Sequence, residues 1–184
     1  MAVNISRDDV TIFPLSARHD TSSFNCTNHD LNDFLKNDAI ENQEQMVSRT
    51  YVCFYKEQLV GFYTLTTDII EVKHIEKTHR WDGYKHKKYP AIKLARLSVD
   101  CRFERKGVGR LLLFAAVGIA LNVSEYVGCR YITVEAKQEA IEFYEKHGFM
   151  IVEKTRTKNE PTLYLNILAT EETMQPAESL YILD

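Results

Sequence analysis

Residues Leu94–Leu113 read LARLSVDCRFERKGVGRLLL, and this stretch decides the fold. Its first six residues alternate weakly and end on Val99, which suits a strand. Asp100 to Lys106 is a polar turn with two acids and three bases, and Gly107-Val108-Gly109 follows. The run Arg110-Leu111-Leu112-Leu113-Phe114-Ala115-Ala116 has the composition of a buried helix, expected from about Gly107 to Ser124. A strand, a glycine turn and a helix in that order aim unpaired backbone N–H groups at one point. The helix dipole adds partial positive charge there. A phosphate is the natural occupant, and the glycines let it approach the main chain closely. The same turn also serves merely to close a helix onto a sheet, so the stretch needs a second one beside it.

That second stretch is Glu135-Ala136-Lys137-Gln138-Glu139-Ala140-Ile141-Glu142-Phe143-Tyr144-Glu145-Lys146-His147-Gly148-Phe149. Ala140, Phe143 and Tyr144 fall on one helical face at three- and four-residue spacing, leaving Glu139, Glu142, Glu145 and Lys146 solvated. Gly148 is a C-terminal stop, and Phe149 opens the next strand.

Together the two stretches resemble the signatures of the GNAT N-acetyltransferases. In that family a strand ending Val-Asp leads into Gln/Arg-x-x-Gly-x-Gly/Ala, here Glu104-Arg105-Lys106-Gly107-Val108-Gly109. A later helix ends Phe-Tyr-x-x-x-Gly-Phe. Glu104 departs from the pattern and places a negative charge near a pyrophosphate, which Arg105, Lys106 and Arg110 are positioned to offset. The backbone donors do not depend on that side chain. Lys137 stands where many relatives have an Asn, so one contact to the pantetheine arm is missing or replaced.

The resemblance implies an α/β fold with a mixed central sheet of about six or seven strands and about four flanking helices. Two central parallel strands would splay apart at one end. It implies one domain over residues 1–168, with 169–184 as a C-terminal tail. Acetyl-CoA would be the cosubstrate. Its pantetheine arm would pair with Leu97, Ser98 and Val99, and its pyrophosphate would lie on the amides from Arg105 to Arg110. Lys137, Ala140 and Phe143 would add contacts, and Tyr144 would sit near the sulfur as general acid. A phenol with a reference pKa of about 10 is mostly protonated at neutral pH and can donate. The alternative is a core tyrosine with a satisfied hydroxyl. No base is identified: Glu135 at a strand end is a candidate, and a surface cap is the other reading. Arg96 on the central strand either orients an anionic group of the acceptor or packs with a solvated head.

Composition narrows the class. The 45% hydrophobic content over 184 residues suits one domain with a sizeable core. No apolar run approaches the roughly 20 residues that span a bilayer, so no membrane partner is expected. The N-terminus, MAVNISRDDVTIF, lacks a secretion signal, and cytoplasmic is the default reading. Cys26, Cys53, Cys101 and Cys129 form no CxxC pair and have no His at zinc-ligand spacing, so free thiols and no metal are expected. Cys53 and Cys129 read as packing residues. The net charge of -3 argues against a generic nucleic-acid binder. Yet Lys73–Arg110 holds 12 Lys and Arg against 4 Asp and Glu, a local +8. Such a band can hold cofactor phosphates, an acidic substrate or RNA, or be an exposed loop without a partner.

The resemblance implies that the first two helices border the acceptor side. Val10–Phe13 is a short strand closed by Pro14. Asn28 or Asp30 caps a helix with Leu31, Phe34 and Leu35 on its apolar face, and a second helical stretch runs through Ala39, Ile40 and Met46. Thr50–Tyr55 and Leu59–Leu65 make a hairpin about Lys56-Glu57-Gln58, with Gly61 marking a bulge or a close backbone approach. Asp68–Pro90 is a long basic, aromatic segment. Trp81 and Tyr84 either pin it to the body or face an acceptor or RNA bases. Phe24-Asn25-Cys26 followed by Leu31 and Leu35 resembles the opening of a branch that includes toxins acetylating aminoacyl-tRNA. Three functions stay open: transfer to a small or protein amine, a tRNA-directed toxin with an antitoxin partner, and a non-catalytic acyl-CoA sensor. Many relatives form dimers, which leaves a homodimer open as well.

Overall fold

The structure is a computed structural model that describes residues 4–171. The strands are β1 (Val10–Pro14), β2 (Arg49–Tyr55), β3 (Gln58–Glu71), β4 (Lys88–Val99), β5 (Tyr131–Glu135), β6 (Met150–Ile151) and β7 (Thr162–Asn166). They form one mixed sheet in the order β1-β2-β3-β4-β5-β7-β6. The helices are α1 (His29–Asp33), α2 (Ala39–Glu44), α3 (Val108–Tyr126), α4 (Ile141–Glu145) and α5 (Ile167–Glu171). A π-helical turn, Phe34–Asp38, joins α1 to α2, so the two expected helices are one continuous run. The expected tail lies outside the described residues beyond Glu171.

Backbone contacts divide the described residues into two units, 4–66 with 95–116 and 67–94 with 117–171. In the first unit β1 and β2 pair antiparallel from Val10↔Tyr55 to Pro14↔Tyr51. The β2–β3 hairpin turns on Lys56 and Glu57, both at positive φ, the twist that a two-residue hairpin loop requires. Its register shifts between Cys53 and Phe54, leaving Val60 as an extra residue. Both expectations for Gly61 hold, because a Cβ there would lie 2.8 Å from the Ser98 carbonyl oxygen and 2.7 Å from Leu112 Cδ1. Phe24, Phe34, Leu35, Val52 and Phe62 form the core of this unit. Asn28 caps α1, its side chain accepting from the Asp30 N–H at 3.0 Å.

In the second unit β4 and β5 run parallel for three pairs, ending at Lys93↔Thr133 although β4 continues to Val99. Pairing that stops part-way along two central parallel strands is the expected splay. β5 pairs with β7, and β7 with β6, both antiparallel. The core is aromatic: Tyr131 lies edge-on to Tyr89 at 5.1 Å and to Tyr164 at 5.8 Å.

Three expectations change. β3 extends to Glu71 and β4 begins at Lys88, so the long loop shrinks at both ends. What remains is folded: Tyr131 Oη donates to the His79 carbonyl at 2.6 Å, and the Glu76 N–H donates to Tyr164 Oη at 3.0 Å. Tyr84 stacks on Tyr89 at 4.1 Å and so pins the segment, whereas Trp81 is 59% exposed. The Tyr144 helix is shorter than expected, because a 3-10 turn over Gln138–Ala140 precedes α4. Finally, α3 is long and apolar enough by composition to cross a bilayer, but half of it is buried within the protein. Leu112, Leu113, Ala116 and Ala120 account for that burial as core residues.

Candidate active site

The first unit builds a turn that follows the end of β4. Ser98 is buried, while Leu97 and Val99 are half-buried beside it. Asp100 then turns the chain: its N–H donates to the Val60 carbonyl at 2.9 Å, the residue freed by the hairpin bulge. Its carboxylate is fully buried and accepts from Arg102 Nε at 2.8 Å, Arg102 Nη2 at 3.0 Å, the Arg102 N–H at 3.0 Å and the Asn25 N–H at 3.0 Å. Burial alone would raise its pKa. The hydrogen bonds from Arg102 and the two backbone donors outweigh that and hold the carboxyl below its ordinary value.

The lock continues toward α1. The Cys101 N–H donates to the Asn25 carbonyl at 2.9 Å. Asn32, buried on α1, accepts from the Cys26 N–H at 2.8 Å and donates to the Cys26 carbonyl at 2.9 Å and to Asn25 Oδ1 at 3.2 Å. The short polar residues around Cys26 carry no sequence signal that pairs them with Asp100.

Beyond Cys101–Phe103, a 3-10 turn, Glu104 and Arg105 are exposed and Arg105 has φ +57°. The Lys106 ammonium donates to the Arg102 carbonyl at 2.7 Å, closing the turn on itself. Its own carbonyl accepts from the Ile5 N–H at 2.9 Å. Gly107 has φ +88°, a conformation that favours glycine, and a Cβ there would also push aside Asn4 Oδ1, the end of an exposed side chain 2.7 Å away. The first intrahelical bond of α3 runs from the Leu111 N–H to the Gly107 carbonyl at 3.2 Å. The amides of Val108, Gly109 and Arg110 precede it, the donors that a helix N-terminus offers to an anion. A diphosphate fits this donor set. Arg105 and Arg110 are the cations left beside it, and Arg110 also lies 5.0 Å from the Phe114 ring.

Arg96, upstream on β4, stacks its guanidinium 3.6 Å over the Phe34 ring. Burial lowers its pKa and Asp38 opposes that. The packing reading holds for its planar face.

The other expected residues belong to the second unit. Lys137 is exposed at the start of the 3-10 turn, and Ala140 and Phe143 are half-buried. Tyr144 is 6% exposed, with its ring edge-on to Phe143 at 5.1 Å and Phe149 at 5.4 Å. Burial pushes its hydroxyl well above the ordinary phenol value, which keeps it protonated. Gly148, at φ +84°, ends the helix with paired bonds: its N–H to the Glu145 carbonyl and the Phe149 N–H to the Tyr144 carbonyl, both 3.1 Å. Glu135 is ion-paired with Lys93, which supports the surface reading for it.

Residues 47–151 match the profile of the acetyltransferase (GNAT) domain. A curated relative from Mycobacterium tuberculosis, named tRNA-acetylating toxin, is 33% identical over 138 residues, covering 74% of this chain and 82% of that protein. Among solved structures, AtaT complexed with acetyl-methionyl-tRNAfMet superposes with a TM-score of 0.82 at 25% identity, covering 91% of this chain and 100% of AtaT. A Tyr-to-Phe mutant of the AtaT toxin, bound to the C-terminus of the antitoxin AtaR and acetyl-CoA, gives 0.74 at 26% identity, over 90% and 98% of the two chains.

Proposed function

The chain belongs to the GNAT acetyltransferases, acyl-CoA-dependent enzymes that use acetyl-CoA, and we propose that within this family it acetylates the amine of an aminoacyl-tRNA. The single structural observation behind the transfer reading is the open row of amides at Val108, Gly109 and Arg110, beside a glycine held at φ +88°. The acceptor assignment is supported by the name of the 33% identical relative and by the tRNA complex of AtaT. As a toxin the chain would act in the cytoplasm and be held in check by an antitoxin protein.

The reaction needs a neutral amine, a polarised carbonyl and a proton for the leaving thiolate. The amine nitrogen attacks the thioester carbon, a C–N bond forms and the C–S bond breaks. The amine's surplus proton leaves to water, and Tyr144 delivers its proton to the sulfur. Burial keeps the Tyr144 phenol protonated until the thiolate leaves, although it also makes the phenol a weaker acid. Leu97, Ser98 and Val99 would hold the pantetheine arm, and the turn through Gly107 the diphosphate. Lys137, Ala140 and Phe143 would complete the cosubstrate contacts.

Transfer to a small or protein amine is the second reading, and it shares every residue named here. Incubation with labelled acetyl-CoA, charged tRNA and a panel of free amines separates the two. Label on the aminoacyl ester supports the proposal. Label only on free amines selects the second reading, and thiol release with neither would send the acceptor search elsewhere. Binding without thiol release would make the protein the sensor.

A further inference from the structure

The second unit contains a cavity of about 610 Å³, with Lys73–Lys77, Thr78 and Arg80 on one side and Ile151–Lys154 on the other. None of the residues assigned to acetyl transfer lines it. Ile75, Ile151 and Val152 supply an apolar floor. Above that floor the charge is mostly positive.

The cations differ in what occupies them. Lys73 is tied to Glu71 at 2.5 Å. Arg80 donates from Nε to the Ile75 carbonyl at 2.7 Å and from Nη2 to the Lys73 carbonyl at 3.4 Å, knitting the wall together. Lys77 and Lys154 have no ion pair among the described residues, and both are exposed. Of the two acids on the lining, Glu153 is taken by Arg156 at 2.6 Å, which leaves Glu76 as the opposing charge.

The second observation is a buried polar atom left over. Among the described residues His74 Nε2 is buried without a hydrogen-bond partner, and Glu71 Oε2 lies 3.7 Å from it. Leaving such an atom unpaired costs about 1–3 kcal/mol, and native sites usually have a partner for it. Burial, Lys154 and Lys73 lower the His74 pKa, and Glu71 opposes them, so the ring is neutral at neutral pH. In the tautomer with a proton on Nε2 it can donate to an oxyanion.

We infer that this cavity is a phosphate-ester site, in which Lys77, Lys154 and His74 take the phosphate and the Ile75–Val152 floor takes the attached ring of a nucleotide. Two ammonium groups without an ion pair among the described residues and a neutral donor line the same cavity, and a phosphate offers an oxygen to each. The volume lies in the range of pockets that hold small-molecule ligands. The site is separate from the acetyl-transfer reading and stands whether or not that reading does. The same phosphate chemistry can come from a free nucleotide or from an RNA backbone.

Titration of the full chain with inorganic phosphate, 5′-AMP and a short single-stranded RNA tests it, read by calorimetry and by the His74 ring signals in NMR. The site predicts saturable binding of AMP or RNA that moves the His74 signals and weakens at least tenfold in the Lys77→Ala/Lys154→Ala double variant. Binding should also weaken as salt rises. AMP binding with phosphate alone weaker points to a nucleotide, and RNA binding without AMP binding points to a backbone phosphate. His74→Gln should weaken binding less than the double lysine change. Unmoved His74 signals, or equal affinity in the double variant with its unfolding midpoint preserved, overturns the site.

Discussion

The Asn25 N–H donates to the Asp100 carboxylate at 3.0 Å, across 75 positions of chain, and the Cys101 N–H returns a bond to the Asn25 carbonyl at 2.9 Å. This double link fastens the segment before α1 to the turn that ends β4. The segment that leads from β4 into the turn is therefore held from behind by a fully buried carboxylate.

Replacing Asp100 by Ala strips acceptors from the Asn25 N–H and from Arg102 at once. The expected loss is about 3 kcal/mol, within the range for leaving buried donors unpaired. Urea unfolding measures it, and Asp100→Asn should lose less because one oxygen still accepts.

Acid should expose the same contact. The folded-state Asp100 carboxyl lies below its ordinary value, so its contribution is fully present above the unfolded pKa, near 3.8, and is lost as pH falls through the lower folded value. Unfolding midpoints taken from pH 6 to pH 2 should therefore drop in the acid range. The drop should be shallower in Asp100→Asn, which has no carboxyl to protonate.

Tyr144→Phe removes the proton donor while keeping the ring that packs on Phe143 and Phe149. Thiol release should fall by about a hundredfold or more, the usual scale for a lost general acid. Acetyl-CoA affinity should stay within about twofold by calorimetry, since one lost contact of less than about 0.4 kcal/mol changes little. Unchanged turnover would take Tyr144 out of the mechanism.

Gly107→Ala brings a Cβ against Asn4 Oδ1 and forces a left-handed residue. The conformational cost alone is about 1–2 kcal/mol. Acetyl-CoA affinity should fall with it. Adding Asn4→Gly relieves the contact but not the φ, so it should recover part of the loss and not all of it.

The parts legible in the sequence were those fixed by neighbours in the chain. The Gly107 turn and the Gly148 helix stop each follow from one glycine at positive φ, which local pattern can read. Gly61 was legible as a site of close approach, although Ser98 as the approaching partner was not. Distant pairings stayed hidden. Nothing near Asp100 announces Asn25, and nothing near Lys106 tells that its ammonium bonds the Arg102 carbonyl. The reach of β3 to Glu71 was missed because Asp68 and Glu71 interrupt the apolar alternation, yet Thr133 Oγ1 donates to Asp68 and gives the carboxylate a place.

The central claim is that the amides opening α3 hold the acetyl-CoA diphosphate. Amide hydrogen exchange, followed residue by residue with and without acetyl-CoA, tests it most directly. Slowed exchange at Val108, Gly109 and Arg110 is the predicted result. Unchanged exchange at those three amides with acetyl-CoA bound elsewhere on the chain would contradict it.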